Sequence, residues 1–331
     1  MPAVRTTTRR TAVVAAIAAG LLGLLASPGW ADNAFPEPVK PPPKKDPPPN
    51  TITTQVQYKR SYNGPGPKMT PGAGSDWSPP ACWYEPEFSP AEFESYLNSH
   101  YVSDQNAFAD LARRYGAENY HKGDKGTWWE LQVPDLSRAG ECAGIEDWTF
   151  IKPGKPPANK PTIDPKTLAG LAYADTVLPA PPVTLKPAPE NQLVNLETEL
   201  AFKLPLPRVT VTASLDNAAA GVHVAATTVA EPYELRVDAG TPDAEPASCT
   251  YRLTNQGGTY HLDTHGAPCN VIYRRASPHG GYTLTASIVW KVHWTPCVNP
   301  DGPAATDPKL PDGESTAPTT VTVRESEAIV R

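Results

Sequence analysis

The clearest pattern in the chain is an alternation near its C-terminal end. Tyr282, Leu284, Ala286, Ile288, Trp290, Val292 and Trp294 alternate with Thr283, Thr285, Ser287, Val289, Lys291 and His293. A period of two puts the two sets on opposite faces, so residues 282–294 predict a long strand with one apolar face. Val209, Val211, Ala213 and Leu215 repeat the pattern. QLVNLETELAF (192–202), GVHVAATTV (221–229), PYELRV (232–237), CNVIYRRAS (269–277) and TTVTVRESEAIV (319–330) are further strand-like runs between turn-rich pieces. About seven strands over residues 192–331 predict an immunoglobulin-like β-sandwich of two sheets.

The period changes upstream. In residues 77–152, Ser89-Pro90-Ala91-Glu92 has the form of a helix start. Ser89 caps with its hydroxyl, Pro90 suits the first helical position and Glu92 reaches back to the cap amide. Phe88 and Phe93 are spaced for a hydrophobic staple across that start. Phe93, Tyr96, Leu97, His100 and Tyr101 then share one helical face, and residues 104–115 predict a second helix ending at Gly116. TWWELQV (127–133) and EDWTFI (146–151) follow as strands, which makes residues 77–152 a small α+β unit. Residues 153–191 read as a linker with a short helix opening at Asp164-Pro165 and carrying Leu168, Leu171 and Ala172 on one face. The expected fold is therefore mainly β with a small α+β N-terminal unit.

Composition adds the ends and the compartment. Residues 1–31 carry Arg5, Arg9 and Arg10, then an uncharged apolar run, then Gly29-Trp30-Ala31, which is a signal-peptide layout. Residues 32–76 are rich in proline and glycine and read as a largely disordered spacer, with TITTQVQYKRSY (51–62) a short strand candidate within it. The formal net charge of −6 becomes −9 without residues 1–31, which hold three arginines and no acid. An acidic exported chain without a basic cluster is no candidate for nucleic acid, nor for a membrane surface once the signal is cleaved.

Export makes disulfides the default for Cys82, Cys142, Cys249, Cys269 and Cys297. Cys82 with Cys142 and Cys249 with Cys269 fall naturally into two regions. Cys297 is left over and is an alternative partner for either cysteine of the second pair. No spacing resembles a zinc site.

Candidate chemistry is concentrated in CWYEPEFSPAEFESYL (82–97). Glu85, Glu87, Glu92 and Glu94 invite comparison with the paired carboxylates of glycoside hydrolysis, but capping and the helix dipole give acids at a helix start a structural duty. Glu85 and Glu87, with Trp83, Tyr84, Trp128 and Trp129, form the candidate contact surface. The same aromatic rings, if buried, supply the core that a small unit needs. His261, Asp263 and His265 alternate as metal ligands would in a strand, yet no fourth ligand accompanies them. Catalytic and dinucleotide motifs are missing, so no catalytic residue and no cofactor are assigned.

CWYEPEFSPAEFESYL, together with TLAGLAYADTVLPAPPVTLKPAPENQLVNLETEL (167–200), CNVIYRRAS, YTLTASIVWKVHW and VTVRESEAIV (321–330), resembles a family of actinobacterial (Streptomyces-type) secreted proteins without an established function. The resemblance spans most of residues 77–331 and implies a C-terminal immunoglobulin- or PKD-like sandwich. Some members are labelled enoyl reductase, a label that no dinucleotide fingerprint supports here. The expectation is an exported non-enzymatic module, structural or binding, at the cell surface or outside it, whose partner is a protein or glycan of the envelope. Its alternatives are a secreted hydrolase using acids of residues 85–94 or the 261–265 loop, and a carbohydrate binder using exposed Trp128 and Trp129.

Overall fold

β1 (Gln57–Arg60), β2 (Thr70–Pro71) and β3 (Trp83–Phe88) lead into helix α1 (Pro90–His100), followed by β4 (Thr127–Gln132), β5 (Trp148–Ile151) and helix α2 (Pro165–Asp175). β6 (Val183–Lys186), β7 (Gln192–Leu193), β8 (Glu197–Phe202), β9 (Leu206–Pro207), β10 (Val209–Asn217) and β11 (Val222–Asp238) come next. The chain ends with β12 (Ala244–Glu245), β13 (Ser248–Gln256), β14 (Thr259–Leu262), β15 (Val271–Tyr273), β16 (Tyr282–Thr295), β17 (Gly313–Val321) and β18 (Val323–Arg324). This computed structural model describes residues 55–72, 75, 77–100, 113, 119–153, 160–218, 220–263 and 270–325. They belong to one compact unit, Asn50–Arg331. The fold is mainly β with a small α+β part, as the hydrophobic pattern predicts.

The main sheet has nine strands in the order β2-β17-β16-β11-β13-β14-β9, with β10 also paired to β11 and β1 to β10. β16 and β10 bear out their period-two patterns: Leu284, Ala286, Ile288, Trp290 and Trp294, and Val209, Val211, Ala213 and Leu215, are all buried. β11 is the spine. β16 flanks one side of it, while its other side pairs with β10 over Val222–Ala230 and with β13 over Glu234–Asp238. The pattern split this stretch at Pro232 into two strands; the structure keeps one strand with a bulge. Proline supplies no amide to a ladder and is tolerated at bulges. Here the register skips between Pro232 and Glu234, where the neighbour changes from β10 to β13. The extra residue, Tyr233, is exposed under the Lys291 ammonium, 5.0 Å from the ring centroid. The shift also moves core-facing positions from Ala226 and Ala230 to Leu235 and Val237, so both halves stay apolar inward.

A second sheet, β12-β15-β8-β6, shares the same core: Leu185, Leu200, Val271 and Tyr273 join residues of the main sheet. The Tyr273 and Tyr282 rings stack between the two sheets, 5.5 Å apart and 5° from parallel. β13 and β14, which the pattern did not pick out, complete the far side of the main sheet.

Two stretches read as connectors belong to the folded unit. Residues 57–60 and 70–71, within the expected spacer, are strands of the main sheet. Arg60 donates from Nε and Nη2 to the Asp175 carboxylate at 2.6 and 2.7 Å, tying β1 to the end of α2. α2 starts as expected, with Pro165 in its first turn and the Thr167 amide donating to Asp164 Oδ1 at 2.7 Å. Leu168, Ala169, Leu171, Ala172 and Tyr173 are all buried against β10 and β11, so this helix is interior. Burying each of its two leucines contributes about 1.5–3 kcal/mol. The expected signal peptide at 1–31, spacer residues 32–54, nearly all of the 104–115 helix, and Cys269 and His265 lie outside the described residues.

Candidate functional site

The acidic, aromatic stretch forms a joint between two cores. Cys82 and Cys142 are disulfide-bonded and buried, which clasps the start of β3 to a 3-10 helix, Leu136–Cys142. β3, β4 and β5 then form a three-stranded antiparallel sheet. Consecutive strand residues point to opposite faces, and Trp128 and Trp129 do so here. Trp128 stacks on Phe93 of α1 at 4.2 Å, in a cluster with Phe88, Leu97, Tyr120 and Trp148. Trp129 packs into the main core.

α1 is built as its sequence dictates. The Glu92 amide donates to Ser89 Oγ at 3.4 Å, and the Ser89 amide donates to Glu92 Oε2 at 2.8 Å. Phe88 and Phe93 meet across the cap with centroids 6.3 Å apart. Lys122 donates to Glu94 at 2.6 Å. Two of the four clustered acids are thus a cap and an ion pair.

The candidate contact surface is corrected by burial. Trp83, Tyr84, Glu85, Trp128 and Trp129 are 6, 1, 5, 0 and 4% exposed, which leaves nothing of them for a partner to cover. Glu87 is half-buried. The tyrosine hydroxyl of Tyr84 donates to the Glu146 carbonyl at 2.5 Å, and burial pushes its phenol up to about 12. Carbohydrate stacking on Trp128 and Trp129 fails for the same steric reason.

Register reveals an acid pair that spacing did not. Glu85 stands directly opposite Glu130, and Trp83 opposite Gln132. Directly opposed residues leave the same face with Cβ atoms about 4.5–5.5 Å apart. Trp83 Nε1 donates to Glu85 Oε1 at 2.6 Å and Gln132 Nε2 to Glu130 Oε2 at 3.1 Å. Glu130 lies 45 positions from Glu85 in the chain, so only strand pairing brings them together.

Of the metal-like triplet, His261 and Asp263 are among the described residues and His265 lies outside them. His261 lies on β14, with Nε2 at 3.2 Å from Thr259 Oγ1, and the Asp263 amide donates to the Arg252 carbonyl at 2.9 Å. Among the described residues no three His, Cys, Asp or Glu side chains are arranged to hold a metal ion. Cys249 is half-buried on β13, and its expected partner Cys269 is outside the described residues. Cys297 carries a free thiol that points to the Asn299 carbonyl at 3.6 Å.

A groove of about 220 Å³ opens between the sheet of β3–β5 and the β10–β11 turn. Trp129, Ile151, Ile163 and Val222 wall it, and exposed Lys152 and His223 stand at its rim. His223 Nδ1 lies 2.9 Å from Asp216 Oδ1. Ligand pockets run to about 300–1,000 Å³, so this groove has room for a single small group. Among the described residues no helix is long and apolar enough to cross a membrane. Comparison with protein-family models, with curated proteins and with solved structures finds no match to this chain.

Proposed function

We propose that this chain is an exported, non-enzymatic module of the cell surface or extracellular space, with a structural or binding role towards a protein or glycan of the envelope. One observation carries the proposal: the buried Cys82–Cys142 disulfide at the joint between the two cores. Disulfides persist in oxidising compartments, and this one fastens the element that links the α+β part to the sheets. The signal-like residues 1–31 support the same compartment. Around the joint, the aromatic and acidic residues act as packing, cap and ion-pair partners, which supports a rigid scaffold.

A hydrolase is the alternative that one observation favours, the opposition of Glu85 and Glu130. Retaining glycosidases set two carboxyl groups about the scissile bond, and strand pairing puts Glu85 and Glu130 on one face of the β3–β5 sheet. The two readings separate in one experiment. The secreted protein and its Glu130→Gln variant are assayed for release of reducing ends from cell-wall polysaccharide. A module gives none with either protein. Turnover that is lost in the variant would replace the module reading with the hydrolase.

A further inference from the structure

Among the described residues, the outer edge of β17 has no strand partner over a short window. β2 pairs on this edge with Gly313 and Glu314 alone. Just past the strand, the Thr322 amide donates to the Pro189 carbonyl at 2.8 Å. Backbone groups of alternate residues point to opposite sides of a strand. The Gly72 amide reaches the Asp312 carbonyl at 2.8 Å on this same side, so even-numbered residues of β17 face outward and odd-numbered ones face β16. Between the two covered ends, Thr316, Pro318 and Thr320 face out, are exposed, and have no strand neighbour among the described residues.

That window is close to an ideal self-pairing edge, apart from its middle. Residues 315–321 carry no charge, so repulsion does not guard them as it guards many edges. Threonine and valine favour strands. A second copy placed antiparallel about a twofold axis at residue 318 would set Thr316 opposite the copy's Thr320, in hydrogen-bonding pairs at both ends. At the centre, Pro318 would meet the copy's Pro318. Both amide donors are then missing and two pyrrolidine rings confront each other.

We infer that Pro318 is a guard that stops the β17 edge from pairing with the same edge of a second copy. Its nitrogen faces outward, so it takes no bond from the ladder with β16, and its one effect is on a strand arriving from outside. The test uses the full chain with Pro318→Thr. Residue 318 is exposed and bonds nothing on the β16 side, so the variant keeps the fold, checked by circular dichroism. The expected result is a doubled mass in light scattering, with exchange of the Thr316 and Thr320 amides slowing as protein concentration rises. In the parent chain those amides exchange at rates independent of concentration. A double variant, Pro318→Thr with Thr320→Pro, returns a proline to the outward set and restores the parent mass. Concentration-independent exchange in Pro318→Thr overturns the inference, as does concentration-dependent protection of this edge in the parent chain.

Discussion

Trp128 and Trp129 are consecutive in the chain and belong to different cores. Their composition suggested a sticky surface, and their burial shows a joint. No local pattern separates the two, because an aromatic pair in a strand looks the same whether one face or both are covered. Tyr173 shows the opposite case, a buried group that packing has not satisfied. Its hydroxyl has no hydrogen-bond partner among the described residues, while its ring meets Trp77 edge-on at 4.6 Å. An unsatisfied buried hydroxyl costs about 1–3 kcal/mol. Tyr173→Phe keeps the ring contact and removes the hydroxyl, so it raises unfolding free energy by about 1 kcal/mol in urea titration. Burial also pushes the phenols of Tyr58, Tyr84 and Tyr273 up to about 12. Their folded values lie above the unfolded value of about 10. The stability they lend is therefore complete below pH 10 and is lost as pH rises towards 12. Melting temperature falls across that window, and tyrosinate absorbance shows a late-titrating set of tyrosines that joins the early set on unfolding.

Elements with purely local grammar came through as their residues predict. The α1 cap needs only Ser89, Glu92 and the two phenylalanines that flank them, all within one turn. Ser89→Ala removes the hydroxyl acceptor and lowers stability by about 1 kcal/mol; an unchanged urea midpoint would show that the cap contributes nothing. The β11 strand failed the same kind of reading for a physical reason. Proline forbids one ladder bond, and from sequence that looks like a break. In the sheet, Pro232 sits where one neighbour ends and another begins, and the missing amide falls at the bulge in the pairing with β16. The four-residue β1 falls within TITTQVQYKRSY (51–62), a stretch with strand character, while the two-residue β2 has no periodic signal of its own and pairs where β17 offers an edge.

At the scale of the molecule, the Cys82–Cys142 bond closes a loop with a sequence separation of 60. In the chain-entropy model such a loop restricts the unfolded chain by about 4 kcal/mol. A Cys82→Ser/Cys142→Ser double variant therefore loses several kcal/mol of stability, read from guanidinium unfolding. Because α2 is interior and Trp129 of the α+β part packs into the main core, the loss appears as one cooperative transition rather than as separate melting of the α+β part. A first transition confined to residues 77–152 in amide exchange would show that the two cores unfold independently.

By itself the sequence determined what short-range chemistry controls, the period-two strands β10 and β16 and the capped starts of α1 and α2, and it made Cys82 with Cys142 the expected pair, which the structure forms. These depend on contacts within a few residues, or on compartment and cysteine count. The tertiary structure decided everything that depends on what lies opposite. It buried both faces of the β3–β5 sheet, set Glu85 against Glu130, drew residues 57–60 into the main sheet and left one edge of β17 without a strand partner around Pro318 among the described residues. Register and burial belong to pairs of distant segments, and a single segment carries no record of its partner.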